Sequence, residues 1–380
     1  MRSQPGEYLS PMYTHAVKSV WPDPATGCPI HQMTDGEFIS HPTYFLQRAF
    51  SPDNQRFIFT SYQTGSAQLF EASFPEGASR QLTGGEAIHP FSPGLLPGGE
   101  KVVFVRGGSI SILDRHSMQE RLVVEFRGGQ LGECSFTADG EWLTAALKLD
   151  TGHHIAVGRV DGTEWNAHPF PRTIIHPQFH PLEPEWIEFA ADPAPRMHRI
   201  RRDGTGLECL YMHGNDEFVV HETFLGETGD LVFTVWPHVL KRMNWQSREI
   251  TPITEFNAWH IAPNRKGTEI LCDTNHPDLG LWLVDVQTGV KRQICLSESS
   301  NQGSQWKTSR YALAADFAAA RSAASKNLSW MEAGAGDTVY GPQWTHPHPS
   351  FSPDETLVAF ASDRTGTTQV YVADIRALRL

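Results

Sequence analysis

Seven times along the chain, an aromatic or apolar residue precedes a short turn rich in Asp, Gly or Pro, followed by apolar residues recurring with period two. The copies are FSPDNQRFIF (50–59), LLPGGEKVVFV (95–105), FTADGEWLTAAL (136–147), FHPLEPEWIEFA (179–190), FLGETGDLVFTV (224–235), APNRKGTEILC (262–272) and FSPDETLVAFA (351–361). Period two sends alternate side chains to opposite faces of an extended strand, so each copy predicts two antiparallel strands joined by a tight turn. A second strand pair accompanies most copies and closes on a Gln-Leu-Thr-like triplet. Gln32-Met33-Thr34, Gln81-Leu82-Thr83, Arg121-Leu122-Val123 and Gln293-Ile294-Cys295 are the clearest. Most copies lie about 40–50 residues apart, the period of a four-stranded propeller blade.

The pattern therefore predicts an all-β chain, a seven-bladed β-propeller formed as a single domain over residues 1–380. The last repeat runs out at Ile375 without its outer half. Its missing strands are expected from residues 16–34, around the turn Asp23-Pro24-Ala25-Thr26-Gly27. N-terminal strands completing the last blade would tie the two ends of the ring together and cover an open edge. The interval 272–351 is too long for one connection. Its middle, 311–327, is Ala-rich with helix-forming composition, so an insertion is predicted at about 308–340 in place of an eighth blade. A β-sandwich with accidental internal similarity is the alternative.

Composition agrees with a turn-rich globular chain: 39% of residues are hydrophobic, with 32 Gly and 26 Pro. The formal charge of −12 provides no basic footprint for nucleic acid, so an acidic ligand must meet a local positive site. No apolar run approaches the ~18 residues of a membrane span, and no apolar stretch follows Arg2 as in a signal peptide. The five cysteines are scattered without a CxxC pair, which reads as reduced thiols. A cytoplasmic protein with no membrane or nucleic-acid partner is expected; the oligomeric state is open.

The 18 histidines carry the chemistry. Just before the turn motifs the repeats place His41, His89, Glu133, His176, His221, His260, and His346 with His348, aligned to within one or two positions. The innermost strand of each blade lines the central channel, so these residues are predicted to converge. Each could instead cap its own strand. The sharpest cluster is Gln343-Trp344-Thr345-His346-Pro347-His348-Pro349. Two imidazoles two apart share one face of an extended segment, Gln343 offers an amide oxygen, and His260 from the preceding repeat supplies a third imidazole. Such a set leaves a coordination position open on a divalent metal, without identifying the ion.

At this point the chain resembles the oligogalacturonate lyases, family 22 of the polysaccharide lyases. The resemblance runs from about residue 21 to 375 and is strongest over QWTHPHPSFSPDETLVAFASD (343–363). HPTYFLQRAFSPD (41–53), Pro195-Arg196-Met197, His221-Glu222 and Gln305-Trp306-Lys307 support it. It implies a seven-bladed propeller holding manganese on His260, Gln343, His346 and His348, with His221 as base and Arg196 beside the substrate carboxylate. His41, Tyr44, His176 and Trp306 are expected to contact substrate. In a uronate the C5 proton lies alpha to the C6 carboxylate. Positive groups on that carboxylate would stabilise the charge that develops as a neutral imidazole of ordinary pKa removes the proton. The C4 substituent then leaves without hydrolysis.

The expected activity is thus metal-dependent β-elimination on short uronate oligosaccharides. The chain departs from the family in lacking a longer Trp-, Lys- and Arg-rich loop near residues 147–154, and in the 308–340 insertion. A non-catalytic propeller of the TolB or WD40 sort, acting as a binding scaffold, is the alternative from another class; a metal-dependent hydrolase is a third.

Overall fold

In the strand Arg56–Ser61, Phe57 and Phe59 leave one face and Ile58 leaves the other, and all three are buried. Both faces of this sheet are therefore covered. A computed structural model of the chain, describing residues 19–214, 216–275, 277–301 and 343–378, shows what covers them. Phe57 and Phe59 pack with Phe70, Leu357, Val370 and Val372 between the first and last sheets. Ile58 joins Leu69, Val102 and Phe104 between the first and second. Val103 and Val105 then face forward onto Leu131, Leu143 and Ala145 of the third. The same alternation continues around the molecule, each sheet sharing one apolar core with the sheet before it and another with the sheet after.

The outcome is a closed ring of seven antiparallel sheets, the all-β seven-bladed propeller that the repeat predicts. In chain order, sheets one to six have four strands each. The innermost strands of sheets three to six are Gln130–Phe136, Thr173–Phe179, Val219–Phe224 and Ala258–Pro263. Among the described residues no helix is long and apolar enough to cross a membrane. The insertion expected at 308–340 lies outside the described residues.

The seventh sheet closes the ring with five strands. Ser350–Phe351, Leu357–Ser362 and Gln369–Asp374 come from the C-terminal side. Pro29–Gln32 pairs against the last of these (Ile30↔Ala373, Gln32↔Tyr371), and Ser19–Pro22 is added outside it. The turn between the two N-terminal strands is built on Asp23. One of its carboxylate oxygens accepts the amides of Ala25 and Thr26, both at 3.0 Å; the other accepts the amide of Leu296 in the neighbouring sheet at 2.8 Å. Thr26 Oγ1 donates to the carbonyl of Ile294 at 2.6 Å. One carboxylate thus shapes the hairpin and fastens it to the adjacent blade.

Removing it would take the acceptor from the amides of Ala25, Thr26 and Leu296. Asp23→Ala is expected to lower unfolding stability by ~1–3 kcal/mol, read as a shifted denaturation midpoint. An unchanged midpoint would show that the N-terminal hairpin does not help hold the ring shut.

A candidate metal centre in the channel

A strand packed on both faces has no free direction for a polar side chain except along the channel, and a regular strand cannot reach it without breaking its alternation. Four consecutive inner strands break it at the same place. The ladder skips between Leu131 and Cys134, Ile175 and Gln178, Val220 and Thr223, and Ala258 and Ile261. At each skip two residues stand opposite one, a β-bulge, which re-aims a side chain without unpairing the strand. The bulged pairs contain Glu133, His176, His221 with Glu222, and His260. His176 and His221 take left-handed backbone (φ 52° and 54°), uncommon for residues with a Cβ and tolerated where surrounding structure enforces it.

Opposite these bulges stand Ala146, Phe189, Phe233 and, in the sixth sheet, Asp273. Asp273 is fully buried and clasps His260 twice: its Oδ1 accepts the His260 backbone N–H, and its Oδ2 lies 2.7 Å from His260 Nδ1. The clasp turns His260 Nε2 away from the carboxylate. His346 and His348 complete the cluster, and one ligand nitrogen from each of the three rings lies within 4.8 Å of the others. All three histidines are fully buried.

His346 and His348 do not lie on a strand, contrary to the extended segment expected from their spacing. They follow the short 3-10 turn Gln343–Thr345, and strand pairing begins only at Ser350. Pro347 and Pro349 have no N–H to give a ladder, and His348 takes left-handed backbone (φ 44°). The Pro347 carbonyl nevertheless accepts the amide of Ala361 at 2.8 Å, docking the loop on its blade. The two rings sit 5.9 Å apart and nearly parallel. Trp259 Nε1 donates a long 3.3 Å hydrogen bond to His346 Nδ1. Gln343 lies on the 3-10 turn, and its side chain is outside the described residues.

The donors fit a divalent ion. Burial pushes His260 and His348 well below the ordinary imidazole pKa, and neighbouring imidazoles reinforce the shift, so both rings are neutral and can offer lone pairs. His260 Nε2 and both ring nitrogens of His348 meet no hydrogen-bond partner among the described residues. Buried polar atoms left this way cost ~1–3 kcal/mol each; a shared cation would satisfy one nitrogen of each ring. Burial also pushes the Asp273 carboxyl well above its usual range. A dication beyond the ring would favour an ionised Asp273 with the proton on His260 Nδ1, the usual carboxylate–imidazole support of a metal ligand.

Next to this cluster, His221 lies with its ring 4.4 Å from that of His260 and edge-on to Trp259 at 4.6 Å. Its Nδ1 has no hydrogen-bond partner among the described residues. The sequence suggested an imidazole of ordinary pKa, and here the structure differs. Burial, followed by His260, His176 and Arg196, drives His221 well below 6.5 and outweighs the opposing charge of Glu222.

Arg196, at the start of the strand Met197–Arg201, is also buried. Its Nε donates to Glu222 Oε2 at 2.8 Å and its Nη1 to Asp192 Oδ1 at 2.9 Å. Burial opposes ionisation of Glu222, but Arg196 and His176 together hold its carboxyl well below the usual range. Burial and that neighbouring charge push Glu188 the other way, keeping it protonated. His176 lies between Glu222 and Tyr44, with Nδ1 3.6 Å from Glu222 Oε1 and Nε2 2.7 Å from the Tyr44 hydroxyl. His41 stacks on Phe91 (4.6 Å), which in turn touches His348 (5.1 Å); burial lowers His41 to about 4.

The structure therefore brings His41, Tyr44, His176, Arg196, His221, His260, His346 and His348 into one buried cluster. Trp306 lies outside the described residues. Sequence reasoning missed Asp273, Glu188 and Asp192, and treated Glu222 only as a neighbour. One signal was available for Asp273, an acidic residue in the apolar run Ile270-Leu271-Cys272 where other blades have Ala or Phe.

Comparisons with known proteins bear on the fold. No family model matches the chain. In sequence it is similar to the oligogalacturonide lyase of Pectobacterium atrosepticum, 22% identical over 93% of this chain and 95% of that protein. It is also similar to the oligogalacturonate lyase of Dickeya dadantii, 21% identical over the same shares. In fold it is similar to an oligogalacturonate lyase solved in complex with manganese, with TM-score 0.80 and 19% identity over 97% of this chain and 98% of that one.

The Asp273 clasp generates a direct expectation. Asp273→Asn keeps the shape but removes the charge supporting His260, so manganese affinity should fall about 10–100-fold when measured by calorimetric titration. Unchanged affinity would remove Asp273 from the metal site.

Proposed function

We propose that this protein is a lyase that cleaves short uronate-containing oligosaccharides, oligogalacturonides foremost, by metal-assisted β-elimination. The observation that carries the reading is the placement of His221, whose Nδ1 meets no hydrogen-bond partner among the described residues, against His260 in a cluster of three buried imidazoles whose nitrogens converge. A scaffold has no use for that arrangement. The names of the relatives, oligogalacturonide and oligogalacturonate lyase, support the same reaction and substrate class.

His260, His346 and His348, with Gln343, would hold the ion, and manganese is the choice that the solved relative supports. When bound, a divalent ion supplies positive charge to the uronate carboxylate and so acidifies the C5 proton. The remaining work falls to the chain's own residues. Arg196, fixed by Glu222 and Asp192, is a positioned cation for the same carboxylate; its planar fork suits a carboxylate better than a lysine would. His221 takes the C5 proton on its free nitrogen. Burial keeps water from competing for the developing negative charge and strengthens the hold of these cations. His41, Tyr44, His176 and Trp306 are assigned to contacts with the sugar.

Elimination adds no oxygen to the product, whereas hydrolysis does. Oligogalacturonides should be cleaved into fragments whose masses add up to that of the substrate, one of them with a new conjugated C4=C5 bond, detected by mass spectrometry and ultraviolet absorbance. Fragments heavier by one water and without that absorbance would replace the lyase reading with a hydrolase. His221→Ala should lower turnover by ~10²–10⁴-fold with manganese still bound; near wild-type turnover would remove His221 from the mechanism.

A further inference from the structure

β-Elimination moves two protons. His221 accounts for the one leaving C5, but O4 departs as an alkoxide unless an acid meets it, and none of the roles above provides one. The geometry points to Tyr44 as that acid, and we propose that it protonates the departing O4 while His176 positions it; this rests on the lyase reading.

Tyr44 lies just beyond the inner strand Ser40–Pro42 and is 2% exposed. Its ring is 5.3 Å from that of His348 and 5.1 Å from that of His176, so the phenol belongs to the same pocket as the candidate metal ligands. Its hydroxyl meets His176 Nε2 at 2.7 Å. Glu222 Oε1 faces the other ring nitrogen at 3.6 Å, and Glu222 is in turn held by Arg196. A buried chain Tyr44–His176–Glu222–Arg196 therefore crosses from a loop of the first blade to the inner strand of the fifth. With Glu222 on the Nδ1 side, Nε2 serves the phenol. A phenol carries its proton through the neutral range, can give it up, and can accept a hydrogen bond while doing so. Acid and base come from different blades, with the His176 ring in contact with both.

The step balances without a further reactant. The C5–H bond breaks and its proton goes to His221; its electron pair becomes the C4=C5 π bond; the C4–O4 bond breaks and O4 takes the proton of Tyr44. The phenolate is left beside the His176 ring, 2.7 Å from Nε2, until product leaves. Solvent then returns a proton to Tyr44 and removes one from His221.

The test separates the two proton movements. Oligogalacturonide is incubated in deuterium oxide with wild-type protein and with Tyr44→Phe, following unsaturated product by absorbance and C5 hydrogen exchange by mass spectrometry. Phe keeps the ring packed against His348, and unchanged manganese affinity checks that the site survives. Tyr44→Phe should eliminate about 10²–10³-fold more slowly yet exchange C5 hydrogen faster than it eliminates, because the base is intact. His176→Gln, which retains a side-chain N–H for the phenol, should keep more elimination than His176→Ala. Elimination within about threefold of wild type, or exchange lost in step with elimination, overturns the assignment to Tyr44 alone. Failure of the wild type to make any unsaturated product overturns the lyase reading and the acid with it.

Discussion

The site depends on one break in register, repeated in four successive blades. Each sheet is buried on both faces, as the split of Phe57, Ile58 and Phe59 between two cores shows. Regular alternation would commit every inner-strand side chain to one core or the other. The bulges release residues from that alternation, and in the fourth to sixth blades they bring the rings of His176, His221 and His260 together. In the sixth blade the residue opposite the bulge is Asp273, so the same irregularity that delivers His260 also delivers the carboxylate that orients it.

Electrostatics then sorts the pocket. Imidazoles taken out of water cannot all be charged beside one another, and burial with mutual repulsion keeps His221, His260 and His348 neutral. Neutral imidazoles can bind a metal or accept a proton; charged ones can do neither. The fixed positive charge is Arg196, and Glu222 and Asp192 hold it in place. Two carboxyls as close in the fold as Glu222 and Glu188 divide their roles: the one on Arg196 ionises and the other keeps its proton.

Much of this was legible in the chain. The turn motifs mark the blades because Asp, Gly and Pro punctuate strands whatever their surroundings, and Asp23-Pro24-Ala25-Thr26-Gly27 marks the closing hairpin for the same reason. The channel histidines could be found by repeat position, but only to within one or two residues. The bulges explain that looseness, since each inserts a residue that period-two counting does not expect. What could not be read depends on packing between distant strands. The partnership of Arg196 with Glu222 needs the fourth and fifth blades side by side, and the depressed pKa of His221 needs full burial beside His260, His176 and Arg196. His346 and His348 were found by composition, but the left-handed turn at His348 was not visible in their spacing.

His260, His346 and His348 converge as the ligands of one divalent ion would. Crystals grown with manganese and measured near its absorption edge test this directly. A single strong anomalous peak bounded by the three imidazoles is expected, with His260 still clasped by Asp273. No peak there, or manganese bound only at surface carboxylates, would contradict it.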